Sequence, residues 1–173
     1  MKKIVADTSA LISLSFSGHL SDICSTIEVN IPVAVQEELE EIASYSDNLS
    51  KAAKECLALI HQKKIKLHDK NSTVRASRHV NSKIDYGEAA CFELAIEYNI
   101  PFLILDDISA ANALSGSIFF KKVIIKLSVA LLVELYIQKK ITKNELQKSL
   151  KAMIQNRKWG KSVMERAIQK YFD

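Results

Sequence analysis

Short apolar runs alternate with amphipathic segments through the first two thirds of the chain. The apolar runs predict strands over residues 3–6, 27–31, 65–68 and 101–105, and a fifth strand within residues 118–125. Apolar residues at helical spacing predict helices over residues 9–17, 20–25, 33–44, 49–63, 85–98 and 109–114. Strands that alternate with helices in this way predict a parallel sheet with helices on both faces.

The last third of the chain has a different pattern, because only helices are predicted there. They cover residues 127–138, 142–155 and 161–172, and Thr142 with Glu145 fits a capping box at the start of the second. We therefore predict an α/β domain over residues 1–125 and a helical C-terminal extension over residues 126–173, packed on the same domain. The polar residues 69–84 are predicted to form a loop or an irregular helix.

The composition of the chain excludes several functional classes. Hydrophobic residues make up 48% of the 173 residues, which is ordinary for a globular protein with a core. The four glycines lie far apart, so no glycine-rich phosphate loop is present. The three cysteines are also scattered, which leaves a structural zinc site without support. No apolar stretch is long enough to span a membrane, and Asp7 interrupts any signal peptide, so we expect a cytoplasmic protein.

Charge is unevenly distributed along the chain. The net charge is +4, but residues 1–120 carry 11 basic and 16 acidic side chains, a balance of −5. Residues 121–173 carry 13 basic and 4 acidic side chains, a balance of +9. The chain thus joins an acidic body to a basic C-terminal segment, an asymmetry that asks for a functional explanation.

Acidic residues stand where predicted strands end and helices begin. Asp7 ends the first strand and Asp106 and Asp107 end the fourth, while Glu38 and Glu88 lie near helix starts. Because the carboxyl ends of parallel strands share one edge of the sheet, we expect these five to converge. Converging carboxylates repel one another unless a cation lies among them, and oxygen ligands suit Mg²⁺ or Mn²⁺. The set therefore predicts metal-dependent phosphodiester chemistry, with all five residues in catalysis and metal binding.

Each carboxylate also has an ordinary structural interpretation. Asp7, Asp106 and Asp107 could simply cap the segments that follow them. Asp85 with Glu88 matches a capping box. A solvated helix face would account for the glutamate in the helix of residues 33–44, which has three further glutamates around it. The functional interpretation rests on the whole set rather than on any one member.

Four sequence motifs follow one another in a familiar order. They are IVADTSALISL at residues 4–14, IPVAVQEEL at 31–39, DYGEAACFELA at 85–95 and PFLILDD at 101–107. Together they resemble the PIN-domain ribonucleases, including the VapC-type toxins of toxin–antitoxin modules. The third motif resembles the branch with a Gly-Glu pair at a helix start. The likeness covers about residues 1–125, with every motif in order and at compatible spacing.

The resemblance implies a three-layer α/β/α sandwich around a central parallel sheet of about five short strands. It also implies an endoribonuclease that depends on Mg²⁺ or Mn²⁺, leaves a 5′-phosphate and acts as the toxin of a toxin–antitoxin pair. A homodimer and a small antitoxin protein are the implied partners besides RNA. The acidic site would be formed by Asp7, Glu38, Glu88 and one or both of Asp106 and Asp107. Thr8, Ser9 and Asp85 would support it, the two hydroxyls by orienting Asp7 or contacting water at the metal.

The chain departs from the family pattern in two places. Many relatives carry a basic residue soon after the fourth motif, where this chain has ISAANAL, and many have Thr-x-Gly after the fifth strand, where Ser128 to Ala130 stands here. These departures concern substrate positioning, since all the motif acids are present. The alternative from another functional class is a catalytically silent PIN fold that binds RNA or protein. The order of the acids does not match a response-regulator receiver or a haloacid-dehalogenase-type phosphatase.

The basic C-terminal segment provides positive charge that could bind RNA. An acidic metal site alone would repel the RNA phosphates. Within the basic segment, Arg157, Lys158, Trp159 and Lys161 form a basic and aromatic turn between two predicted helices. Such a turn could clamp the phosphate backbone and stack on an unpaired base. The ordinary alternatives are a solvated helix face or packing against the acidic body of a second subunit.

Overall fold

The computed structural model describes residues 1–68, 84–115 and 123–159. Five strands form one sheet, and they are β1 (Lys2–Ala6), β2 (Ile27–Pro32), β3 (Ile65–His68), β4 (Phe102–Ile104) and β5 (Ile124–Lys126). Their order across the sheet is β3-β2-β1-β4-β5, and every neighbouring pair is parallel. The predicted parallel α/β architecture is therefore confirmed.

Eight helices lie within the described residues. They are α1 (Thr8–Ser17), α2 (Leu20–Thr26), α3 (Val33–Ala43), α4 (Asn48–His61), α5 (Tyr86–Glu97), α6 (Ile108–Ser115), α7 (Val129–Ile137) and α8 (Lys143–Arg157). The central strand shows that they cover both faces of the sheet. Its consecutive residues Ile4, Val5 and Ala6 are all fully buried, although alternate side chains of a strand point to opposite faces.

Element boundaries agree with the sequence prediction to within a few residues, with two exceptions. The sequence alone predicts Pro32 at the first position of a helix, which proline favours, but Pro32 is the last residue of β2 and pairs with His68. Its extended backbone, with φ −79° and ψ 164°, suits a strand end that also forms the N-cap of α3. The fifth strand is Ile124–Lys126, which begins at the end of the predicted range 118–125 and extends one residue beyond it. The loop or irregular helix predicted at residues 69–84 lies outside the described residues except for Ile84, and the helix predicted at residues 161–172 lies outside them entirely.

Helix α8 lies along α1 and joins the helical segment to the α/β body. Leu146, Leu150 and Met153 of α8 are buried in the same core as the sheet, and the hydroxyl of Ser149 donates to the carbonyl oxygen of Ser17 at 2.8 Å. The capping box predicted at Thr142 and Glu145 is present. The division into parts at residue 125 stays a prediction. No helix in the described part of the chain is both long and apolar enough to cross a bilayer.

Candidate active site

The acidic residues stand at the topological switch point of the sheet. From β1 the chain proceeds outward through β2 to β3, and then returns to the other side of β1 to form β4 and β5. The amide of Asp7, just beyond β1, donates to the carbonyl oxygen of Ile104 at the end of β4 at 3.1 Å. The two strand ends therefore lie side by side. Ligands of open parallel sheets bind at such a point, beyond the carboxyl ends of the strands.

A cleft of about 270 Å³ opens at this edge of the sheet. Its described lining comes from the strand ends and from five helices, and consists of Asp7, Thr8, Ser9, Ile12, Glu38, Ile42, Leu49, Asp85, Gly87, Glu88, Asp107 and Arg157. Four of the five predicted catalytic acids are thus brought together, along with all three predicted supporting residues. A water takes up roughly 30 Å³, so the cleft has room for a hydrated ion or one phosphodiester group.

Asp7 is held in position by the start of helix α1. One carboxylate oxygen accepts the backbone N–H of Ala10 at 2.8 Å, and the other accepts the hydroxyl of Ser9 at 2.7 Å. Asp7 is therefore the N-cap of α1, as the ordinary interpretation had it. The cap also aims the carboxylate at the cleft, so the structural and the functional interpretations describe one geometry.

Glu38 lies between the starts of two other helices. The hydroxyl of Thr8 donates a hydrogen bond to its carboxylate. On its other side, a Cβ atom added to Gly87 would stand 2.1 Å from Glu38 Oε1, closer than any side chain allows. Residue 87 must therefore be glycine if the carboxylate of Glu38 is to lie against helix α5. This contact gives the Gly-Glu pair of the third motif a physical reason.

Asp85 and Glu88 form the capping box that the sequence indicates. The carboxylate of Asp85 accepts the N–H of Glu88 at 2.8 Å, and Glu88 Oε2 accepts the N–H of Asp85 at 2.9 Å. Both residues also line the cleft. The second oxygen of Glu88 is not used by the capping box and stays available to a ligand.

The two acids after β4 have different surroundings. Asp106 is buried, and its oxygens accept the N–H of Ser128 at 2.8 Å and the hydroxyl of Ser128 at 2.7 Å, which anchors the start of α7. Asp107 lines the cleft and accepts the N–H of Ala110 at 2.9 Å. Asp107 is therefore the better placed to bind a ligand, whereas Asp106 contributes its charge from behind the cleft.

Burial and mutual repulsion raise the pKa values of the cleft acids. Burial raises the pKa of Asp7 to about 8, with a further contribution from the charge of Asp106, against the hydrogen bonds from Ser9 and Ala10. Burial likewise raises the pKa of Glu88 to about 7, and the charges of Asp85 and Asp107 add to the rise. The pKa of Glu38 is also raised, mainly by burial. A nearby cation would favour the ionised forms of all three.

The donor set fits a divalent cation that keeps much of its hydration. All the candidate ligands are carboxylate oxygens, the ligands that Mg²⁺ and Mn²⁺ prefer. Within the described ranges, no three acidic, histidine or cysteine side chains converge tightly enough to enclose an ion by themselves. Mg²⁺ is commonly bound by one or two carboxylates and several waters, and an open cleft of this kind suits that mode.

The predicted RNA-binding turn is only partly described. Arg157 is the last residue of α8 and lines the acidic cleft. Lys158 is exposed and ends the helix in a left-handed conformation, with φ 53°. Trp159 is partly buried and packs against the hydrophobic core. Lys161 lies outside the described residues.

Sequence reasoning missed three features of the site. It placed Arg157 in a surface clamp and not beside the acids, since the register of α8 on α1 cannot be read from spacing alone. It noted Ser128 after the fifth strand without linking it to Asp106. It also gave no role to the apolar wall, which Ile12, Ile42 and Leu49 form. All three lie in segments that the sequence predicts as helices, and no further role was assigned to them.

Fold and cleft together place the protein among α/β proteins with an acidic site at the switch point of a parallel sheet. A protein-family model described as a PIN domain matches residues 3–172, and the chain belongs to the PIN-domain family. PIN domains are generally nucleases and generally use divalent metals, so a nuclease-type function is indicated. No curated protein and no solved structure matches the chain.

Proposed function

We propose that this protein is a Mg²⁺- or Mn²⁺-dependent endoribonuclease that hydrolyses phosphodiester bonds of RNA. One observation carries the proposal: acids from four separate segments line a single cleft, and burial raises the pKa values of Asp7 and Glu88 to about 8 and about 7. Such a concentration of buried carboxylates is unfavourable for a protein without a cation partner. It suits a protein that binds one.

Asp7, Glu38, Glu88 and Asp107 are the residues that would hold the ion. A bound divalent ion supplies Lewis acidity toward a phosphate oxygen and makes water a better nucleophile. Ser9 and Ala10 orient Asp7, and Thr8 orients Glu38. Gly87 leaves the space that the carboxylate of Glu38 occupies. Asp106 supports the site by holding Ser128 and by adding negative charge near Asp7.

Affinity for RNA must come from outside the acids, because their charge repels phosphates. Residues 121–173 carry a net charge of +9, and Arg157, Lys158 and Lys161 belong to that segment. We expect RNA affinity to fall as salt rises, since phosphate contacts release counterions. A base stacked on Trp159 would require the indole to leave its partly buried position.

The test is cleavage of single-stranded RNA by purified protein, with Mg²⁺ or Mn²⁺ and with a chelator. Wild type should cut only with metal, and Asp7→Asn should lose activity while it keeps the helical circular-dichroism signal. The same assay on DNA of matching sequence tests the choice of substrate. Protein that cuts RNA with neither metal, or Asp7→Asn protein that cuts as fast as wild type, would contradict the proposal.

The biological role follows from the resemblance to VapC-type toxins. The protein would be a toxin that forms a homodimer and is restrained by a small antitoxin. An antitoxin could place a basic side chain among the cleft acids, where a charge-assisted hydrogen bond is strongest. Induced expression should arrest growth, and the Asp7→Asn variant should not. Normal growth of cells that express active wild-type enzyme would remove the toxin role and leave the nuclease proposal intact.

A further inference from the structure

Arg157 is the one basic residue in the described lining of the acidic cleft. Five acids share that lining with it, namely Asp7, Glu38, Asp85, Glu88 and Asp107. Even so, Arg157 forms no ion pair with any residue that the structure describes. Its guanidinium is therefore not held by a salt bridge to any of these acids.

Helix packing delivers Arg157 to the cleft. The hydroxyl of Ser149 on α8 contacts the carbonyl of Ser17 at the end of α1, and Arg157 at the end of α8 lines the same cleft as Ser9, so the two helices run in opposite directions. Arg157 lies eight residues after Ser149, and Ser9 lies eight residues before Ser17. At 1.5 Å per residue both intervals span about 12 Å, which agrees with the place of Arg157 in the lining of the cleft, at the end of α1 that carries Ser9. The helix then ends at once, because Lys158 takes a left-handed conformation.

The guanidinium also has an unused donor. The Nε atom of Arg157 is shielded from solvent and has no hydrogen-bond partner in the described structure. A buried donor without a partner is unfavourable, and a native example calls for an explanation such as a missing ligand. Arginine presents a planar fork of donors that matches the oxygens of a phosphate.

We propose that Arg157 binds the phosphate group of the RNA that enters the cleft, beside the acids that would hold the metal. This inference rests on the proposed ribonuclease function and adds the residue that attracts the substrate's negative charge into an acidic site. ISAANAL, which follows Asp107, contains no basic residue, so the positive charge comes from a distant helix. Lys158, which is exposed and is not part of the described lining, would then contact a neighbouring part of the RNA backbone.

The experiment compares wild type with Arg157→Gln, Arg157→Lys and a matched control, Lys143→Gln. Lys143 begins the same helix and lies about 21 Å from Arg157 along it. Three properties are measured: affinity for a short single-stranded RNA without metal, kcat and KM for its cleavage with Mn²⁺, and Mn²⁺ affinity without RNA. Melting temperature is recorded for each variant.

Arg157→Gln should weaken RNA affinity and kcat/KM by roughly 10- to 100-fold, as expected when a charge-assisted hydrogen bond is lost. The slope of log affinity against log salt should flatten by about 0.7, the value for one phosphate contact on a single strand. Arg157→Lys should recover part of the loss, because it keeps the charge without the fork. Mn²⁺ affinity and melting temperature should not fall, and Lys143→Gln should resemble wild type throughout.

RNA affinity and cleavage at wild-type levels in Arg157→Gln would overturn the inference. So would tighter Mn²⁺ binding with unchanged RNA affinity, since that pattern identifies a counter-ion of the acids. A lower melting temperature with equal losses in every property would instead identify a structural residue. If wild type binds RNA through Arg157 but cuts none with either metal, the ribonuclease proposal fails while the phosphate contact stands.

Discussion

The charged side chains at the two ends of strand β1 lie in opposite electrostatic environments. At its start, Lys2 pairs with Glu134, and Lys3 lies 3.3 Å from Glu28 on the neighbouring strand. Burial is the largest single influence on the pKa of Glu28 and raises it, but hydrogen bonds from Lys3 and Asn30 and nearby lysine charges together keep the pKa below its ordinary value. At the other end, burial and neighbouring acids raise the pKa of Asp7 to about 8. One end therefore neutralises its charges within the chain, whereas the acids at the other end form no salt bridge with any residue that the structure describes.

The comparison separates charged side chains that are paired at an ordinary protein surface from carboxylates that are gathered at a candidate functional site. Exposed pairs such as Lys3 with Glu28 contribute at most about 1 kcal/mol to stability. A buried carboxylate among other carboxylates destabilises the ionised state instead, and such sites are concentrated where proteins bind ligands or catalyse reactions. The same strand thus carries an ordinary surface at one end and a candidate catalytic site at the other.

The largest loss of RNA cleavage is expected when a carboxylate is removed from the cleft, which lies at the carboxyl end of β1. Glu38→Gln keeps the size of the side chain and the space beside Gly87 but removes the charge. We expect at least about a 100-fold loss of RNA cleavage, because changes to groups that only support metal ligands already cost 10- to 100-fold. Cleavage is measured by initial rates with Mn²⁺.

The matched control for that change is Glu40→Gln, an exposed residue on the same helix that accepts a hydrogen bond from Gln36. It should cleave at the wild-type rate. Equal losses in the two variants would mean that the charge of α3 as a whole matters, and that Glu38 has no special place in the cleft.

A smaller effect on activity, without harm to the fold, is expected from Gly87→Ala. The new methyl group would collide with Oε1 of Glu38 and displace the carboxylate, while alanine is the better helix former by about 1 kcal/mol. Cleavage should fall roughly 10-fold or more, and the melting temperature should stay the same or rise. A variant with wild-type activity would show that Glu38 does not need its observed position.

The metal-free protein should lose stability as pH rises from about pH 4 to about pH 8. The carboxyl of Asp7 ionises near its ordinary pKa in the unfolded chain but only near 8 in the folded one. Within that window the folded state holds the extra proton, so the free energy of unfolding falls by up to about 1.4 kcal/mol per pH unit. Below the window both states are protonated, and above it both are ionised. Urea unfolding at several pH values measures the slope.

The Asp7→Asn variant shows whether the pH dependence of stability comes from Asp7. The variant cannot ionise at residue 7, so its stability should depend less on pH and should exceed that of metal-free wild type at about pH 8. A wild-type protein whose stability is highest at pH 8 without metal would contradict the raised pKa of Asp7.

The smallest effect is expected at the opposite end of β1. Lys3→Gln removes a half-exposed partner of Glu28 and should lower the free energy of unfolding by less than about 1 kcal/mol. At high salt, which screens this ion pair, the difference between the variant and wild type should be too small to resolve. Activity should not change. A loss of several kcal/mol or of cleavage would mean that the two ends of the strand are energetically linked.

Much of the fold could be predicted, because the local signals agree with the final structure. The apolar runs became β1 to β4 in their predicted places, and Asp85 with Glu88 and Thr142 with Glu145 formed their capping boxes. Pro32 was assigned to the helix because a proline there is compatible with both a strand end and a helix start. Strand pairing to His68 decided between them, and pairing is not visible in local sequence.

The site was predictable in its acids but not in its finer geometry. Chain order and parallel topology bring Asp7 and Asp107 to one edge wherever the sheet has this form. Which of Asp106 and Asp107 faces the cleft depends on the contact of Ser128 with Asp106, between residues 22 positions apart. The place of Arg157 depends on how α8 lies against α1, more than a hundred residues away. Contacts of that range come from tertiary packing, which spacing along the chain does not encode.

Calorimetric titration with Mn²⁺ is the most direct test of whether the cleft acids bind a divalent cation. Wild type should bind Mn²⁺ at about pH 8 and more weakly at about pH 5, and should release protons on binding, because the ligands must ionise. Asp7→Asn should bind at least about 10-fold more weakly, while Glu40→Gln matches wild type. Mn²⁺ binding of equal strength in wild type and Asp7→Asn, or none in wild type at either pH, would contradict cation binding by these acids.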